Sequence, residues 1–142
     1  MEKNITLTAE LKNLDVLIES VDNILNELSC SSENRNALYL SIEELFVNIT
    51  SYAYDNSSGT VNILFTTTDN ESKIKLCITF IDKGKPFNPL LSDDPDTTKP
   101  LEERNPGGLG IFLVKKNVDE IKYTYEDNCN KLTIYKTLDR EV

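Results

Sequence analysis

The hydrophobic period changes several times along this chain, and each change marks an element. Residues 3–8 alternate polar and apolar, which predicts a short strand. From Glu10 to Ser29 the apolar positions Leu11, Leu14, Leu17, Ile18, Val21, Ile24, Leu25 and Leu28 recur at spacings of three and four. That pattern predicts an amphipathic helix. Ser31 or Ser32 can cap a second helix whose buried stripe is Leu38, Ile42, Leu45, Phe46, Ile49 and Ala53, with Asn56-Ser57-Ser58-Gly59 ending it. Two strand-like runs follow, Val61 to Thr67 and Lys73 to Ile81, with Asp69-Asn70-Glu71-Ser72 as the hairpin turn.

Residues 83–106 hold all five prolines and the acidic cluster Asp93-Asp94-Pro95-Asp96. A stretch this long without periodicity is too long for a passive connection, and loops of this size are often lids. A third helix is expected from about Gly108 to Asn117. Strands near Glu120–Glu126 and Lys131–Leu138 come next, joined through Asn128-Cys129-Asn130. Strand, two helices, two strands, lid, helix and two strands make a two-layer α/β (α+β) sandwich. Adjacent hairpins imply a mixed, mostly antiparallel sheet with its helices on one face. Without regular strand–helix alternation, the glycines near residue 108 are not a dinucleotide fingerprint.

Composition narrows the chemistry. The 142 residues fit one domain, 1–142, able to bury roughly 70% of its unfolded surface without staples. A net charge of −9 argues against a nucleic-acid backbone binder, which needs a basic face, but not against one nucleotide held locally. The absence of histidine excludes a Ser-His-Asp triad, a His-bearing zinc site and a phospho-accepting histidine within this sequence. Cys30, Cys77 and Cys129 are odd in number and form no CxxC pair, so reduced thiols are expected. Neither a signal peptide nor an apolar run of about 20 residues is visible, which points to a cytoplasmic protein away from the membrane.

Three polar sites stand out. Glu44 and Asn48 are four apart in the second helix, so their side chains share one face. An Asn amide oxygen suits Mg²⁺, and a carboxylate one turn away suits a general base. Asp82-Lys83-Gly84 closes an apolar strand, where a carboxylate can accept the exocyclic amine of adenine and would leave guanine unpaired. Gly84 would allow close approach of the ring or a positive φ. Gly107-Gly108-Leu109-Gly110 opens the third helix, where unpaired N–H groups and the helix dipole favour a phosphate. Arg104 could reach the terminal phosphate as the lid closes. Each site has a plainer reading: a solvated helix face, a strand-ending turn, a loop between two elements.

In this order, Glu44-Leu45-Phe46-Val47-Asn48, Asp82-Lys83-Gly84 and Gly107-Gly108-Leu109-Gly110-Ile111-Phe112-Leu113-Val114 resemble the boxes of the GHKL ATPase superfamily. The nearest likeness is to the anti-sigma-factor serine kinases of the RsbW and SpoIIAB type, over nearly the whole chain. Glu102-Glu103-Arg104 before the glycines and Val118-Asp119-Glu120 after them share that likeness.

The resemblance implies a Bergerat-type ATP-binding fold with an ATP lid at about 85–106. It implies Mg²⁺ on Asn48, Glu44 as base, and Asp82 with Gly84 at the adenine. Gly108, Leu109, Gly110 and Ile111 would face the phosphates. Thr133 would stand near the adenine-bound water, although it is equally an ordinary β-favouring residue. One departure is Tyr52, where the family often has His. The implied activity is phosphorylation of a serine on a STAS-type anti-anti-sigma partner, with alternate sequestration of a sigma factor. A homodimer and a metal-dependent serine phosphatase in the pathway are also implied. The alternative is a nucleotide-responsive binding module without significant kinase activity.

Overall fold

Strict alternation in the long strands decides which way the sheet faces. In Lys73–Asp82 every second side chain from Ile74 to Asp82 is buried, and in Cys129–Asp139 Asn130, Leu132, Ile134 and Leu138 are buried likewise. A period of two puts each set on one face of the sheet. The computed structural model describes residues 1–54, 59–70, 73–91 and 109–139. Within them the order is β1 (Glu2–Thr8), α1 (Leu14–Glu27), α2 (Ser32–Tyr52), β2 (Thr60–Asn70) and β3 (Lys73–Asp82). Then come α3 (Leu109–Asn117), β4 (Glu120–Glu126) and β5 (Cys129–Asp139).

The sheet order is β1-β2-β3-β5-β4. Every pairing among the described residues is antiparallel, so the sheet is not mixed. The connection through α3 delivers the chain to the far edge as β4. The β4–β5 hairpin then brings β5 back beside β3, running opposite to it. Asp127 and Asn128 both take positive φ, 56° and 61°, the backbone of a two-residue hairpin turn whose twist matches the flanking strands. Between β2 and β3, pairing continues to Asn70 opposite Lys73, so the strands exceed the expected runs and only residues 71–72 intervene.

All three helices contribute to one apolar core on a single sheet face. Leu17 and Leu25 of α1, Leu38, Ile42, Leu45 and Phe46 of α2, and Ile111 and Val114 of α3 pack with Ile63, Phe65, Ile78, Phe80 and Ile134 of the strands. Each such side chain contributes about 1.5–3 kcal/mol on burial. The first helix is shorter than its apolar pattern. Asn13 folds its amide back onto Thr8 (2.9 Å to the carbonyl, 2.6 Å to the hydroxyl), and residues Leu11–Asn13 form a 3₁₀ turn before α1. Its end is sharp: Ser29 takes φ 54°, with Cys30 N–H bonded to the Leu25 carbonyl and Ser29 N–H to Asn26. This pair of bonds satisfies carbonyls left over at a helix C-terminus. Ser31, not Ser32, caps α2, accepting from the Asn34 N–H.

Candidate nucleotide site

The core stripe of β3 ends on a charge. Asp82 continues the face of Ile78 and Phe80 and is only 5% exposed. Its Oδ1 accepts from Gly84 N–H at 2.9 Å and from the Asn130 Nδ2 amide, also at 2.9 Å. No hydrogen bond from the described residues reaches Oδ2. Gly84 follows in a tight docking against the end of α2, where a Cβ would lie 2.1 Å from the Ala53 carbonyl oxygen. Lys85 N–H bonds that same oxygen at 3.0 Å. Glycine is therefore required by the close approach of α2, and its φ is not in the left-handed range. Tyr54 braces the same junction, donating to the Thr60 carbonyl (2.7 Å) and accepting from Lys83 N–H (2.8 Å). Burial raises the Tyr54 phenol above its ordinary pKa.

Asn48 and Asp82, remote in sequence, line the same cavity. Its other walls are Leu45 and Ile49 of α2, Ala53 just past its end, Phe80 and Leu132 of the sheet, Phe87 and Pro89 beyond β3, and Tyr123 and Asn130. Asn48 is half-buried, and its amide makes no hydrogen bond with the described residues. Glu44, one turn earlier, lies beside the start of α3, where a Cβ on Gly110 would meet its Oε2 at 2.3 Å. Glu44 has no ion pair or hydrogen bond among the described residues. Glu43 points to solvent. Ile111 directs its side chain into the core, which leaves its backbone as its contribution to the helix start. Leu109 begins α3, while Gly107, Gly108, Arg104 and the lid residues 92–106 lie outside the described residues.

Thr133 does not join this cavity, contrary to the expectation from sequence. It lies on the opposite face of the sheet from Leu132, with its hydroxyl 3.0 Å from that of Thr79. The register makes this unavoidable, because one residue along a strand reverses the face. The polar residue of β5 on the cavity side is Asn130, which the sequence pattern places in the connection between the last two strands. Phe87 and Tyr123 were missed too. A purely local signal existed only for Phe87, an aromatic between Pro86 and Pro89 soon after the Asp82–Gly84 box. Phe87 stacks on Tyr52, centroids 5.3 Å apart at 25°, and both rings are exposed at the edge of the cavity.

The sequence profile of the histidine kinase-like ATPase domain matches residues 7–136. The chain belongs to that family. Among relatives of the histidine kinase-like ATPase domain, it resembles "Serine-protein kinase RsbW" of Halalkalibacterium halodurans, with 26% identity over 96% of this chain and 83% of the relative. It also resembles the "Serine-protein kinase RsbW" of Oceanobacillus iheyensis, with 28% identity over 72% of this chain and 66% of the relative. A solved structure of the RsbU and RsbW domains of Rv1364c from Mycobacterium tuberculosis superposes with a TM-score of 0.64 at 14% identity. That match covers 100% of this chain and 34% of the solved one, so the chain spans about a third of that protein and shares its fold. The likeness to the RsbW kinases read from the three boxes is thus borne out for the family and the fold. Among the described residues no helix is long and apolar enough to cross a membrane.

Proposed function

We propose that the chain is a cytoplasmic serine-protein kinase of the anti-sigma type, which binds Mg²⁺–ATP and phosphorylates a STAS-type anti-anti-sigma partner. The observation that carries this reading is the meeting of Asn48 and Asp82 in one cavity, with Glu44 at the start of α3. The donor set fits the ligands. Asp82 offers a carboxylate oxygen to the adenine amine between the apolar walls of Leu45, Phe80 and Leu132. Asn48 offers a hard amide oxygen that no described residue occupies.

When bound, Mg²⁺ would sit on Asn48 and the phosphates, and would neutralise their charge. The α3 start at Leu109, Gly110 and Ile111 would present N–H groups to the phosphates, together with Gly108. Arg104 would approach the terminal phosphate from the lid. In the reaction the substrate serine Oγ bonds to the γ-phosphorus, its proton passes to the Glu44 carboxylate, and the bond to the ADP oxygen breaks. Catalysis then rests on positioning and charge. Partner switching would let the same protein hold a sigma factor as a homodimer when the STAS protein is phosphorylated. A metal-dependent serine phosphatase would reverse the mark.

Incubation with Mg²⁺–ATP and the STAS partner tests the reading. Phosphoserine should form in the wild type and be lost in Glu44→Ala. Absence of phosphoserine in the wild type, or undiminished labelling in the variant, would sink it. A second reading, a nucleotide-responsive binding module without significant turnover, is favoured by Tyr52. This residue stands where the family often has His, and it is stacked on Phe87. Intact ATP binding without transfer to any partner would select that reading.

A further inference from the structure

Asn130 stands directly opposite Asp82 in the β3–β5 register and is 6% exposed. Its amide uses its full capacity of two donors and two acceptors. Nδ2 donates to Asp82 Oδ1 at 2.9 Å and to the Lys85 carbonyl at 2.8 Å. Oδ1 accepts from Phe87 N–H at 3.1 Å and from the Tyr123 hydroxyl. The opposite amide orientation would face oxygen onto both the Asp82 carboxylate and the Lys85 carbonyl, so the network itself fixes which way it points.

One side chain therefore does two things. It holds one oxygen of the Asp82 carboxylate, leaving the other without a bond from the described residues. It also pins the backbone at Lys85 and Phe87, the segment that brings Phe87 and Pro89 to the cavity wall.

We propose that Asn130 is the positioning residue for purine discrimination: it sets the orientation of Asp82 and fixes the Phe87–Pro89 wall in the same register. This proposal rests on the reading of Asp82 as the base-recognising carboxylate. A 6-amino purine donates to the free oxygen, whereas a 6-oxo purine brings an acceptor against it. A carboxylate released from Asn130 can rotate and accommodate both. Asn130 need not touch the nucleotide to do this.

The test is equilibrium binding of ATP and of ITP, which carries a 6-oxo group, with no turnover required. The wild type should prefer ATP. Asp82→Asn should remove the preference and so define the floor. Asn130→Ala should lower the ATP-to-ITP affinity ratio about tenfold, toward that floor, the scale of one charge-assisted hydrogen bond. A residue with a purely structural role would weaken both nucleotides together and keep the ratio; that result in a folded Asn130→Ala overturns the proposal. If Asn130→Ala does not fold, Tyr123→Phe carries the test. It removes one donor to the same amide and should lower the ratio about threefold. An unchanged ratio there overturns the proposal as well. A wild type without preference, or an Asp82→Asn variant that retains it, removes the base reading and the proposal with it.

Discussion

The two ends of the cavity are built in opposite ways. At the strand end, Asp82 and Asn130 are buried and tied to Gly84, Lys85, Phe87 and Tyr123 by a shared set of hydrogen bonds that leaves one Asp82 oxygen over. At the helix end, Glu44 and Asn48 are half-buried with no hydrogen bond to the described residues. A buried polar network rigidifies its surroundings when every member is satisfied, and is costly when one partner is lost. Side chains without partners are instead available to a ligand. On the proposed function the contrast teaches a division of labour: the strand end is already assembled in the free protein, and the helix end would be completed by the phosphates and their metal.

The largest effect should come from the helix end. Glu44→Gln should lower phosphoryl transfer about 10²–10⁴-fold, the range for loss of a general base, while ATP affinity changes only a few-fold. Single-turnover labelling beside calorimetric binding checks both halves. Equal losses in binding and transfer would break the contrast.

At the strand end the order reverses, with binding lost first. Asp82→Asn should weaken ATP about 10–100-fold, corresponding to about 1.5–3 kcal/mol for a hydrogen bond to a charged group. Nucleotide titration measures it. Gly84→Ala comes next and acts on the scaffold: its Cβ would stand 2.1 Å from a backbone carbonyl that cannot swing aside. A loss of about 1–3 kcal/mol in denaturant unfolding is expected, the usual cost of overpacking.

A smaller effect concerns pH. Burial raises the Tyr54 and Tyr123 phenols above the ordinary value of 10.0. For Tyr123 the nearby Asp82 charge raises it further, against the opposing effect of the Phe87 backbone N–H. A raised pKa means that the folded state holds its proton longer than the unfolded chain. The resulting stability is fully present below pH 10.0 and is lost as pH rises through the raised folded values. Unfolding midpoints measured between about pH 9 and pH 11 should fall, and Tyr54→Phe should flatten part of the slope. The smallest effect belongs to Thr133→Ala, which should leave ATP affinity unchanged because its hydroxyl meets Thr79 on the far face.

Much of the fold was legible in the periods of Leu17–Leu28 and Leu38–Ala53 and in the alternation of β3, because burial on one face imposes them. The pairing of Glu44 with Asn48 was legible too, since helix geometry alone puts residues four apart on one side. Asp82 was legible as the charge ending an apolar strand. What was hidden depends on long-range register. Thr133 and Asn130 lie on the same strand and differ in parity; the alternation of Leu132, Ile134 and Leu138 carries that parity, but the pairing of Asn130 with Asp82 on β3 is not a local property. Gly84 reads from sequence as allowing close approach of the ring or a positive φ, whereas the close approach in the structure is that of the Ala53 carbonyl, on another part of the chain. The mixed sheet was expected for want of the knowledge that β5 returns between β3 and β4.

The central claim is a strand end already set and a helix end completed by the ligand. A crystal structure with Mg²⁺ and a non-hydrolysable ATP analogue tests it most directly. The account predicts the adenine amine on the free oxygen of Asp82, with the Asn130 bonds unchanged. It also predicts that Asn48 and Glu44 acquire the metal and the terminal phosphate as new neighbours. A base bound away from Asp82, or an Asn130 network rebuilt around the nucleotide, would contradict it.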